Sequence, residues 1–133
     1  MMGPTTGFVV FLLITLACLG AVILTGRAAR RAAHLSCVAA AVACLGVTIY
    51  FAEQLGGLYD LEAAGWITPT HLILAKVTVV AYLIPVVTGL RTIRDEAGKG
   101  LHCKAAHLVI ALTVLTAISG TAMVLMATPL GAR

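Results

Sequence analysis

The chain has 133 residues, of which 61% are hydrophobic and 11% charged, with a formal net charge of +4. So few charges cannot cover the surface of a soluble domain of this length, and the apolar residues lie in long blocks, as membrane spans do. The cations flank those blocks, so topology signals and lipid headgroups account for the positive charge better than nucleic acid does.

Four spans are expected, at roughly 7–26, 32–52, 69–90 and 105–127, each near the length a helix needs to cross a bilayer. The expected fold is all-α: one integral membrane domain, 1–133, as a bundle of four transmembrane helices. The first span follows MMGPTTG, which carries no Lys or Arg, and no small-x-small site follows it. It reads as a retained span rather than a cleaved leader. The connection after it carries Arg27, Arg30 and Arg31. The connection after span three carries Arg91, Arg94, Lys99 and Lys104, diluted by Asp95 and Glu96. The connection between spans two and three has Glu53, Asp60 and Glu62 and no cation. The positive-inside rule then puts the first and third connections in the cytoplasm and both termini outside, in a cell inner membrane, with Arg133 counting against this. Tyr50, Tyr59 and Trp66 suit an outer aromatic belt. Thr68 is the expected N-cap of span three with Pro69 at its first position, and Pro85 should kink that span and deprive the Ala81 carbonyl of its donor.

Spans two and four open alike. RAAHL at 31–35 and KAAHL at 104–108 match at an offset of 73 residues, which also brings Thr48 onto Thr121. The first helices match at 63, Thr15 with Thr78 and TG at 25–26 with TG at 88–89. The chain thus reads as two repeated parallel helical hairpins, about 7–52 and 69–127, with a ten-residue insertion in the second cytoplasmic connection. Such a repeat puts His34 and His107 at equal depth on equivalent helices. Diagonal helices in a bundle lie roughly 11–14 Å apart, which suits two imidazoles with a haem iron between them. On this reading His34 and His107 are the axial ligands of a haem b. Arg27, Arg31 and Lys104 hold its propionates, and Ala41 and Ala111 leave room for the ring.

The plainer reading stands beside it. A histidine at a span end beside a cation also serves by reaching headgroups or by bonding a neighbouring helix. A zinc site of His34, Cys37, Cys103 and His107 fails on depth, because the two sulfurs fall roughly 10 Å apart along the membrane normal. His102 is expected in the connection, in solvent. On the outer side His71 and Glu53 could hold a metal or relay protons to a quinone, against an interfacial histidine with a snorkelling Lys76. Cys18, Cys37, Cys44 and Cys103 form no C-x-x-C pair and read as small apolar filler, with a redox dithiol as the lesser reading.

A histidine after arginines at span two, THLILA opening span three, HCKAAH opening span four and AISGTAMVLM closing it resemble the small four-helix membrane proteins associated with cytochrome c oxidase assembly. The likeness covers spans two to four. It implies a respiratory-chain setting and the handling of haem or copper. Glu53 stands where that family leads one to expect a further histidine, and Pro85 comes later in its span.

Two functions follow. One is a bis-histidine b-type haem protein of a respiratory or electron-transfer system. The other is a cofactor-free accessory or assembly subunit of a larger membrane complex, or a homo-oligomer, with Ala40, Ala43 and Gly46 and with Ser119, Gly120 and Ala122 allowing close helix contact. No activated nucleophile or paired acid marks an enzyme, and no broken pair of spans marks a transporter.

Overall fold

The computed structural model describes residues 3–132; Met1, Met2 and Arg133 lie outside them. Helix α1 runs Pro4–Arg27, α2 Arg31–Gly56, α3 Ile67–Ala81, α4 Leu83–Arg94 and α5 Lys99–Met126. Counting α3 and α4 as one interrupted span, Ile67–Arg94, four helices are long and apolar enough to cross a membrane. This is a membrane protein by length and composition, and its four-helix class agrees with the reading of the sequence. The observed helices exceed the expected spans by several residues at most ends. Hydropathy marks only the part that sits in hydrocarbon, whereas the hydrogen-bonded helix runs on through polar turns such as Lys99–Lys104.

The chain divides into two compact units. One runs to Asp60 and takes in the chain from Pro129 on; the other is Leu61–Thr128. The first is the α1–α2 hairpin. Its turn is a helix C-cap in which Arg30 N–H donates to the Thr25 carbonyl (3.1 Å) and Ala29 N–H to that of Gly26 (3.3 Å). Ala29 occupies the left-handed position, φ 53°, where glycine is the usual residue. Near the other end Leu130 N–H donates to the Leu58 carbonyl, 3.0 Å.

The second unit pairs the α3–α4 span with α5. Its entry differs from expectation. Helix α3 starts at Ile67 with Trp66 as N-cap, so Pro69 is the third helical residue and Thr68 caps nothing; the Thr68 hydroxyl donates to the Leu61 carbonyl at 2.6 Å. Proline is tolerated through that first turn because its N–H has no intrahelical partner. The span is interrupted at Tyr82, beside the Ala81 carbonyl that Pro85 was expected to deprive of its donor.

Each hairpin draws its helices together over glycine. In the first, a Cβ on Gly7 would fall 2.5 Å from the Phe51 ring, and that ring stacks on Phe11 with centroids 5.8 Å apart. Gly46 of α2, by contrast, has open space around it. Gly7→Ala should therefore destabilise the first hairpin by roughly 1–3 kcal/mol through overpacking. Gly46→Ala should be neutral or stabilising, since alanine favours helix by about 1 kcal/mol. Denaturant unfolding in micelles, followed by helical circular dichroism, separates the two; equal effects would show that Phe51 does not seat on Gly7.

Candidate functional site

The polar residues that the spans bury lie on the helix–helix seam inside each hairpin. In the first, Thr15 on α1 and Thr48 on α2 approach hydroxyl to hydroxyl at 3.2 Å, both buried; one of their two protons bridges the pair and the other goes to the carbonyl one turn back on its own helix, Phe11 or Cys44. Nearer the turn, His34 reaches back from α2 to α1. Its Nδ1 lies 3.1 Å from the Val22 carbonyl and 3.5 Å from the Thr25 hydroxyl. A carbonyl only accepts, so Nδ1 carries the proton and Nε2 the lone pair. The ring rests on Gly26, where a Cβ would sit 3.3 Å from it.

The second hairpin repeats this with more rungs. Thr78 and Thr116 meet at 2.8 Å. His102 places Nδ1 3.1 Å from the Pro85 carbonyl and 3.3 Å from the Thr88 hydroxyl, and its ring rests on Gly89. Tyr82 O–H donates to the Thr113 hydroxyl at 2.8 Å, because the Thr113 proton goes to the Val109 carbonyl. At the far end His71 Nδ1–H donates to the Ser119 hydroxyl at 2.9 Å, whose own proton goes to the Thr116 carbonyl at 3.1 Å. The His71 ring lies against Gly120, where a Cβ would stand 2.7 Å away. Among the described residues no buried side-chain nitrogen or oxygen lacks a hydrogen-bond partner.

His102 is thus not in the connection. It sits in the first turn of α5, half-buried, and holds in the second hairpin the place that His34 holds in the first. Thr15 with Thr78, Val22 with Pro85 and Thr25 with Thr88 keep the offset of 63 read from the sequence. On the second helices the bonds match at 68, His34 with His102 and Thr48 with Thr116, where the sequence match gave 73. The repeated AAHL draws the frame five residues along α5. Five residues turn a helix by about 500°, roughly 140° off the matching face. His107 and Thr121, the partners at 73, accordingly lie exposed and bond only their own helix: His107 Nδ1–H to the Cys103 carbonyl at 2.7 Å, Thr121 to the Ala117 carbonyl at 2.8 Å. Had the threonines been aligned along with the histidines, Thr116 and His102 would have emerged together.

The remaining candidates stand apart from this seam. Arg27 ends α1, Arg31 begins α2 and Lys104 lies in the second turn of α5; all three are exposed. Glu53 is exposed in the last turn of α2, and Lys76 is exposed on α3. Among the described residues no group of three histidine, cysteine or acidic side chains could hold a metal ion. Chemically, the seam satisfies polar groups in a medium without water, and it leaves His34, His102 and His107 each with Nδ1–H on a carbonyl, the tautomer in which imidazole ligates through Nε2. No protein-family model, curated protein or solved structure matches the chain.

Proposed function

We propose that the protein is an accessory subunit of a larger complex in a respiratory or electron-transfer membrane, and that α2 is the helix it offers to its partner. The observation that carries this is the contrast between exposed faces. On α3 and α4 the exposed residues are bulky: Leu72, Ile73, Val77, Val80, Leu83 and Leu90. On α2, the small residues Ala39, Ala40, Ala43 and Gly46 are exposed among Leu35, Val42 and Ile49, and a Cβ at Gly46 would meet nothing within 4 Å, so this face has the gap between larger side chains that the α3–α4 face lacks. Lipid tails pack against any apolar side chain, whereas small residues let another helix's backbone come close. The respiratory setting rests on the resemblance in spans two to four. The orientation follows the cation count, with both termini outside an inner membrane.

Gly46→Leu should lower the native-gel mass of the complex that holds the chain in solubilised membranes, while Ala17→Leu on the exposed face of α1 leaves it unchanged. Migration of the unaltered chain as a single protomer would sink the proposal. For orientation, a cysteine at Gly57 in a Cys103→Ser background should react with an impermeant thiol reagent from outside; labelling only after lysis reverses it.

A second reading is favoured by the histidine tautomers. A haem b held by His34 and His107, with Arg27, Arg31 and Lys104 on its propionates, would have both axial positions filled and so would pass electrons rather than bind oxygen. His102 has the same tautomer as either proposed ligand. Protein purified from haem-replete cells should show a Soret band that shifts on reduction. His34→Ala and His107→Ala should each abolish it. A band lost in His102→Ala but kept in His107→Ala moves the second ligand to His102, and a colourless protein leaves the accessory reading alone.

A further inference from the structure

Neither reading uses Lys76. It is exposed on α3, the tenth of the 28 residues of the span Ile67–Arg94. At 1.5 Å per residue its Cα lies roughly 14 Å from the Ile67 end. Every other Lys or Arg of the described residues stands in a connection or within the first or last two turns of a helix. The five carboxylates of the chain, Glu53, Asp60, Glu62, Asp95 and Glu96, stand in the last turn of α2 or in the connections, so α3, α4 and α5 carry none. Lipid tails suit the bulky side chains of this face but not an ammonium. Ionisable groups inside spans pair with an opposite charge or turn to a packed interface.

The residues in line with Lys76 describe what it would pack against. Ile73, Lys76, Val80, Leu83, Val87 and Leu90 follow one another at alternating spacings of three and four residues. They form the crest of the face: Ile73, Val80, Leu83 and Leu90 are 61–65% exposed, against 44–51% for Leu72, Val77 and Val79 beside them. The line passes Tyr82, which keeps helical dihedrals. Ile73, Val80 and Val87 take one heptad position, and Lys76, Leu83 and Leu90 the other. A branched side chain at a and leucine at d is the pattern that packs two helices along their length, and membrane helices cross with the same geometry, at about +20°.

We infer that this line seats one transmembrane helix of a partner protein, and that the partner helix carries an aspartate or glutamate facing Lys76. Charge selects the occupant. Two copies of this chain inserted the same way run parallel, and in a parallel pair each d residue faces its own counterpart. Two ammoniums would then meet in hydrocarbon, so a second copy does not fit. A carboxylate at that level cancels the charge. A headgroup phosphate would have to be reached over the exposed, apolar Leu72 and Ile73, whereas snorkelling serves lysines near a helix end. The α2 face takes a helix by close approach over small residues and this one by interlocking larger side chains, so the two are separate contacts. The inference rests on the accessory-subunit reading for the existence of a partner.

The Lys76→Glu variant supplies an acidic helix for the test. Full-length chains carrying donor and acceptor dyes are mixed in detergent micelles and their association is read by energy transfer. The unaltered chain with Lys76→Glu should associate more than about tenfold more tightly than either chain with itself, because like charges facing across a seam are disfavoured. Lys76→Leu, whose apolar line is unbroken, should associate with itself. Absence of the mixed pair, or self-association of the unaltered chain as strong as that pair, would overturn the inference. In solubilised native membranes Lys76→Glu should free the chain from its complex on a native gel, while Lys76→Arg leaves it in place. A complex kept in Lys76→Glu but lost in Gly46→Leu would overturn this inference alone and leave the accessory reading standing. Phosphatidylglycerol retained by the unaltered chain and lost from Lys76→Met would in that case assign the cation to a lipid phosphate.

Discussion

Each hairpin depends on two apolar helices coming close enough for short polar side chains to touch. A threonine hydroxyl reaches barely beyond its own helix, so Thr15 with Thr48 and Thr78 with Thr116 can meet only where the backbones approach. Glycine permits that approach. A ring from one helix lies on a glycine of the other at both ends of each seam: Phe51 on Gly7 and His34 on Gly26, then His71 on Gly120 and His102 on Gly89. In hydrocarbon there is no hydrophobic force between helices, so packing and these bonds must supply the association, at about 0.6 kcal/mol on average for an interhelical bond. A threonine that loses its partner can turn its proton to the carbonyl one turn back on its own helix, so breaking a rung exposes no strong donor to lipid.

The two hairpins share this skeleton and differ in what they hang on it. Where the first has Leu19 and Leu45, the second has Tyr82 and Thr113 joined by a hydrogen bond. Where the first has stacked phenylalanines at the end away from its turn, the second has His71 and Ser119. Where the first has the thiols of Cys18 and Cys44, the second has Ala81 and Leu112. Beyond the shared threonines and histidine, the second seam thus adds a phenol, a serine hydroxyl and a further imidazole where the first has apolar side chains.

Hydropathy made the spans legible because twenty apolar residues in a row admit almost no other reading. The TG pairs and Thr15 with Thr78 were legible too, since rare polar residues in an apolar run stand out. The second helices were misaligned for a chemical reason. AAHL is the longer identity, but alanine and leucine are the residues that lipid-facing positions exchange most freely, so their agreement carries little positional information. His102 and Thr116 matter because their side chains must meet a partner on another helix, and that requirement lives in the seam rather than in the string.

Pro85 shows how a local defect is absorbed. It removes one N–H from its span, yet its own carbonyl accepts His102 as the Val22 carbonyl accepts His34, in a helix with no proline at that place. The histidine bond therefore needs no kink. The interruption falls at Tyr82, beside the Ala81 carbonyl that Pro85 leaves without its donor; the Tyr82 N–H is shared between the Thr78 and Val79 carbonyls, and its phenol makes a rung that the first hairpin lacks. Tyr82 keeps helical dihedrals, φ −59° and ψ −23°, and its N–H still reaches the Thr78 carbonyl at 3.2 Å, so the proline defect is absorbed within one turn while the hydroxyls of Thr78 and Thr88 stay on the seam.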